Sequence, residues 1–107
     1  MLSCSSAAGM PARSPLEIAR LSYVDASLVY EVTMRTVSDL RAARLLSDPQ
    51  WSRVEHAQSV VRVLGPQVRA ALDLWAVTGR EPVDYSVAIG KLYAAFAEIK
   101  TVRAEVF

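Results

Sequence analysis

The sequence predicts a small all-α domain, an up-and-down bundle of three long helices. Three observations predict it. Ser14-Pro15-Leu16-Glu17 and Ser47-Asp48-Pro49 have the form of helix starts. Apolar residues recur at steps of three and four in each of the segments that follow. No stretch alternates apolar and polar residues for long enough to make a strand.

The first helix opens at the capping box Ser14…Glu17, with Pro15 at the first helical position, and is expected to run to about Leu46, roughly 48 Å at the usual rise. Its apolar residues form two adjoining strips. One runs through Ile18, Leu21, Val24, Leu28 and Val32, the other through Tyr23, Tyr30, Met34, Val37 and Leu40. So wide an arc suits a helix that touches two neighbours. Thr36 to Asp39 is its weak point, because Thr, Ser and Asp compete with the backbone for hydrogen bonds, and a kink or break is expected there if anywhere.

The second helix is expected from about Pro49 to Thr78, capped by Ser47 or Asp48 and closed by Gly79 as the residue after the C-cap. A linker of two or three residues makes the first pair an antiparallel hairpin. The stripe Val54, Ala57, Val61, Leu64, Val68, Leu72, Trp75 keeps its phase through Gly65-Pro66, where a helix ought to end. A chain that reversed there would have no reason to preserve the register. The expectation is one helix kinked at Gly65-Pro66, since Pro66 loses the bond to the Arg62 carbonyl and crowds it, at a cost of about 3 kcal/mol in a straight helix. Two helices meeting at Gly65 are the alternative.

Arg80-Glu81-Pro82 marks a turn, and the third helix is expected from about Val83 to Glu105 with the seam Tyr85, Ile89, Leu92, Phe96, Ile99 and Val106. Gly90 and Ala94, one turn apart, suggest close approach of a neighbouring helix. An arc as wide as that of the first helix would also take a fourth helix, as in a four-helix-bundle relative, and the chain has none left. Residues 1–14 hold four Ser, one Arg and no acid, and are expected to form a disordered N-terminal tail ahead of a domain spanning 15–107. Their composition also suits a targeting remnant, and Met10 could serve as the start.

Composition narrows function by exclusion. The hydrophobic fraction of 52% and mean hydropathy of +0.22 are high for a bundle of 107 residues, which suggests apolar surface buried against something else. A net charge of +1 argues against a general nucleic-acid binder. No apolar run reaches the roughly 18 residues that a membrane span needs, so membrane association would be peripheral and through protein partners. Cys4 is the only cysteine, His56 the only histidine, and no carboxylates cluster. Neither a metal site, a cofactor site nor a Ser-His-acid relay is expected, because such sites need several ligands or an oriented base at specific geometry. Glycine stands only at positions 9, 65, 79 and 90, with no phosphate-binding loop. The chain is therefore read as no enzyme.

Arginine is the conspicuous charge. Ten of the twelve basic residues are Arg, and Arg35, Arg41, Arg44, Arg53, Arg62 and Arg69 face only Asp39, Asp48 and Glu55 in the same stretch. They make either a partner-facing patch at the first hairpin or a solvated rim whose stems cover apolar surface. Partner contact is expected along Tyr23, Tyr30 and Met34, with Arg41 and Arg44 steering at the rim, since aromatic and Arg residues carry much of interface energy. The opposing view makes these tyrosines plain core.

Over roughly residues 37–103 the chain resembles the PsbQ-like extrinsic proteins of photosystem II. The shared features are an acidic residue and a Trp at a helix start (Asp48, Trp51), then Leu64-Gly65-Pro66-Gln67-Val68-Arg69, then Leu72, Leu74 and Ala76, and in the next helix Lys91-Leu92-Tyr93, Phe96, Ile99 and Val102. The interval from Trp51 to Leu64 is about two residues longer than in that family, the family's last helix is missing, and no thylakoid transfer signal is present. The resemblance implies a four-helix-bundle relative, a lumenal location, and a non-catalytic role stabilising photosystem II by docking on its core. The alternative is a soluble, cytoplasmic helical adaptor or regulator that self-associates as a homodimer through its apolar helix face.

Overall fold

The computed structural model of the chain describes residues 13–106. The expected tail lies outside the described residues except for Arg13 and Ser14, as do Cys4, Met10 and Phe107. Three helices, α1 (Pro15–Ala42), α2 (Asp48–Thr78) and α3 (Tyr85–Val106), follow one another up, down and up. They make an all-α bundle, 86% helical, with no strand among the described residues.

Each helix begins and ends for a local reason. Ser14 caps α1, its Oγ accepting from the Glu17 N–H at 3.1 Å while Glu17 Oε1 accepts from the Ser14 N–H at 2.9 Å. Ser47 caps α2 in the same way with Gln50, whose Oε1 accepts from the Ser47 N–H at 2.9 Å. Pro49 thus stands second in the helix, after Asp48. Gly79 closes α2 in the left-handed region at φ 71°, its N–H donating to the Trp75 carbonyl at 2.8 Å.

The first helix is shorter than expected. It stops at Ala42 because Arg44 adopts φ 63°, so that the Leu45 N–H reaches back to the Leu40 carbonyl at 2.8 Å and the Arg44 N–H to Arg41 at 3.0 Å. This paired closure is a Schellman motif built on a non-glycine residue, and sequence reading missed it for want of a glycine. Leu46 then folds back into the core, only 3% exposed. At Thr36 to Asp39 the helix does not break. Thr33 and Thr36 bond back to the carbonyls of Val29 and Val32, and Val37, next after Thr36, is fully buried.

α2 runs unbroken through Gly65-Pro66, so the alternative of two helices is set aside. Val68 is fully buried against Leu92 and Phe96, and Val61 packs on the same group, as the unbroken stripe requires. Pro66 is exposed and lines the groove between α1 and α2.

The core has two halves. Val37, Leu40, Leu46, Val54, Ala57, Ala95, Ile99 and Val102 fill the end at the first hairpin. Val68, Leu72, Trp75, Tyr85, Leu92 and Phe96 fill the other. Tyr30 and Val61 pack on both and join them. α2 and α3 share the most extensive interface, and α1 leans more on α3 than on α2. The bundle is a slab of 59 × 29 × 15 Å. Its radius of gyration is 17.8 Å, against about 13 Å for a compact domain of this length.

The close approach expected at Gly90 and Ala94 does not occur. Both are exposed, and a Cβ at Gly90 would meet nothing within 4 Å.

Candidate interaction surface

The two apolar strips of α1 have opposite fates. Tyr23, Tyr30 and Met34, expected to meet a partner, are half-buried and turned toward α2 and α3. Tyr30 stacks on Phe96 with ring centroids 4.7 Å apart. Tyr23 accepts a hydrogen bond from Arg69 at 3.0 Å through its hydroxyl. Met34 packs on the hairpin-end core. Within the single chain these three side chains therefore do core work, as the opposing view held.

The other strip is the open one. Ile18, Leu21, Val24, Leu28 and Val32 are 45–57% exposed, and Val29 beside them is 48% exposed. The reason is geometric. Core-facing residues Ala19, Tyr23, Ala26, Tyr30, Thr33 and Val37 recur at steps of four and three along one side of α1, which leaves Leu21, Leu28 and Val32 on the far side. A helix apolar on both sides belongs in the middle of a structure rather than at its edge. Here only one side is covered.

Two grooves flank α1. One, about 270 Å³, lies between α1 and α3 and has Tyr30, Tyr93 and Phe96 for walls, with Asp25 and Lys100 at its rim. The other, about 470 Å³, lies between α1 and α2 over Leu92 and Phe96, with Glu31, Arg62 and Arg69 at its edge. Burial raises the Tyr30 and Tyr93 hydroxyls above the usual phenol range; Arg62 partly offsets this at Tyr30, and Tyr85 and Tyr23 add to it at Tyr93. The Tyr93 hydroxyl is buried without a hydrogen-bond partner among the described residues.

Three of the six arginines, Arg41, Arg53 and Arg69, are committed within the chain. Arg41 pins the hairpin, donating to the Leu46 carbonyl at 3.2 Å and to Asp48 at 2.9 Å while lying 5.9 Å from the centre of the Trp51 ring. Arg53 ties α2 to α3, with Nη1 donating to both oxygens of Glu105 at 3.0 and 2.9 Å and Nη2 to Glu98 at 2.8 Å. Those bonds hold the guanidinium pKa well above its ordinary value, and Arg53, helped by Gln50, holds the Glu105 carboxyl below its own. Arg44 is exposed at the Schellman turn and Arg35 is exposed on α1. Arg41, Arg53 and Arg69 thus serve three separate contacts, while Arg35, Arg44 and Arg62 are exposed and make no side-chain hydrogen bond or ion pair among the described residues.

His56 is exposed on α2, and the nearby Ser59 hydroxyl is spent on the Glu55 carbonyl at 3.0 Å. Among the described residues no group of three or more His, Cys, Asp or Glu stands close enough to hold a metal, and no helix is long and apolar enough to cross a membrane. Comparison with protein-family models, with curated proteins and with solved structures finds no match to the chain.

Proposed function

We propose that this chain is a non-catalytic interaction subunit, a helical bundle that works by presenting the outer face of α1 to a protein partner. The strip Ile18, Leu21, Val24, Leu28 and Val32 carries the reading, because no core requirement of the chain itself accounts for it. Each of these side chains is about half exposed, and covering what remains would stabilise by about 1 kcal/mol apiece. Contiguous apolar surface of this kind marks interaction sites on monomeric domains.

The substitution Leu28→Glu tests it. Leu28 is outside the core, so the variant should keep its melting temperature. In an extract of the native cells the unmodified chain should elute well above monomer mass and the variant at monomer mass. Elution of the unmodified chain as a monomer would refute the proposal.

The residue resemblance to the PsbQ-like proteins supports a narrower form, in which the assembly is photosystem II and the compartment the thylakoid lumen. It predicts that the chain sediments with thylakoid membranes and is released by a salt wash. Absence from that fraction would remove the narrower form and leave the broader one standing.

A further inference from the structure

We infer that the partner on the outer face of α1 is a second copy of the same chain, docked antiparallel so that the two α1 helices lie back to back. The inference rests on reading that face as an interaction surface, and it adds the occupant and the register. Its ground is charge complementarity. Along one edge of the apolar strip the charged residues are Glu17, Arg20, Glu31 and Arg35, in the order minus, plus, minus, plus, and Asp39 one turn further on falls, in the register below, opposite the second copy's Arg13. In an antiparallel pair the same edge of each helix faces the other, read in reverse. Glu17 then meets the second copy's Arg35, and Arg20 its Glu31, so every charge on that edge faces its opposite. In a parallel pair that edge would face the opposite edge of the second copy, and this complementarity would not arise. An unrelated partner would not require the edge to complement itself.

The apolar residues obey the same register. With the two-fold axis near residue 26, Val24 faces the copy's Leu28, and Leu21 its Val32, which makes symmetric layers on either side of the axis. The charges are available for this. Arg35 and Glu31 are exposed and join no ion pair among the described residues. Arg20 only grazes Asp73 at 3.9 Å, and both side chains are well exposed. The Glu17 cap uses Oε1 and leaves its other oxygen. One residue works against the pair: Asp25 lies near the axis and would approach its own copy, with Lys100 at the rim of the same groove as the nearest counter-charge.

Sedimentation equilibrium of the purified full chain tests the inference. The chain should dimerise reversibly, and Leu28→Glu should abolish the dimer while leaving the circular dichroism and melting temperature in place. Arg35→Glu should raise the dissociation constant about tenfold or more. Adding Glu17→Lys to Arg35→Glu should restore most of that loss. Asp25→Asn should lower the dissociation constant, a gain that a merely structural role would not produce. A chain that stays monomeric at every concentration overturns the inference. If its strip still binds a hydrophobic dye and loses that binding in Leu28→Glu, the interaction face survives and the partner is a different protein. If the dye binds only after residues 1–12 are removed, the strip is covered by the chain's own N-terminus. A dimer indifferent to Leu28→Glu, or one that Arg35→Glu strengthens, also overturns it.

Discussion

Tyr93 shows how far single side chains in this bundle depart from what their type suggests. Its hydroxyl is buried and has no hydrogen-bond partner among the described residues. An unsatisfied buried hydroxyl costs about 1–3 kcal/mol, so Tyr93→Phe should leave stability unchanged or raise it by about 1 kcal/mol, read by urea denaturation. Tyr30 is the opposite case. It stacks on Phe96 and touches both halves of the core, and Tyr30→Ala should cost about 2–4 kcal/mol. Burial raises the pKa of Tyr30, Tyr85 and Tyr93 in the folded chain, with Glu81 adding to the shift at Tyr85. A group whose pKa is raised on folding stabilises fully below its unfolded value, here about 10, and loses that contribution as pH rises toward the folded value. Thermal stability should therefore be flat with respect to these groups through neutral pH and fall above about pH 10. A melting temperature that rose in that range would contradict the burial of the three rings.

At the scale of the elements, α2 carries two residues that oppose its own helicity. Pro66 lies inside it and Gly65 beside it. A Cβ on Gly65 would come no closer than 3.6 Å to the flexible end of Arg69. Pro66→Ala should stabilise by about 1–3 kcal/mol, and Gly65→Ala should add about 1 kcal/mol once Pro66 is replaced, since a Cβ just before proline is crowded by its ring in a helix; both are read by thermal melts. Gly79→Ala should do the reverse, since its φ of 71° strains any side chain. By the same argument Arg44→Gly, at φ 63°, should stabilise the hairpin by about 1 kcal/mol. The α2–α3 pair is further tied by Arg53 with Glu98 and Glu105. Arg53 depresses the pKa of Glu105, with help from Gln50, so this contribution is present above the ordinary carboxylate value and is lost as pH falls through the folded value. Arg53→Gln should lower the melting temperature at neutral pH and make no difference in strong acid.

The whole molecule is a thin slab whose core divides lengthwise. Trp51 packs on the hairpin-end half and Trp75 belongs to the other. Variants Trp51→Phe and Trp75→Phe each leave one tryptophan to report one half. The two reporters should unfold together in the otherwise unmodified chain, as a two-state domain requires, and should separate when Tyr30→Ala cuts the join between the halves. Coincident transitions in Tyr30→Ala would show that α2 and α3 alone couple the ends. Solution scattering should give a radius of gyration well above the compact value of about 13 Å.

Much of this architecture was legible from the residues alone. The capping boxes, the left-handed Gly79 and the three- and four-residue steps are local signals, and each dictated a helix end or a buried face without reference to the rest of the chain. The phase of the stripe from Val54 to Trp75 was enough to carry α2 through Gly65-Pro66, because register is preserved only if both halves of the stripe meet the same neighbour. The end of α1 was not legible, since a Schellman turn on Arg44 has no residue signature. Nor was the choice between the two apolar strips of α1. Periodicity shows that both strips exist, and aromatic content favoured Tyr23, Tyr30 and Met34 as the interaction side. Only the placement of Phe96 and Leu92 decided that the tyrosines fill the core, because a flat ring buries more area against another ring than a Val or Leu strip would. The aliphatic strip was thereby left outside, and which side of a helix faces water is a property of its neighbours.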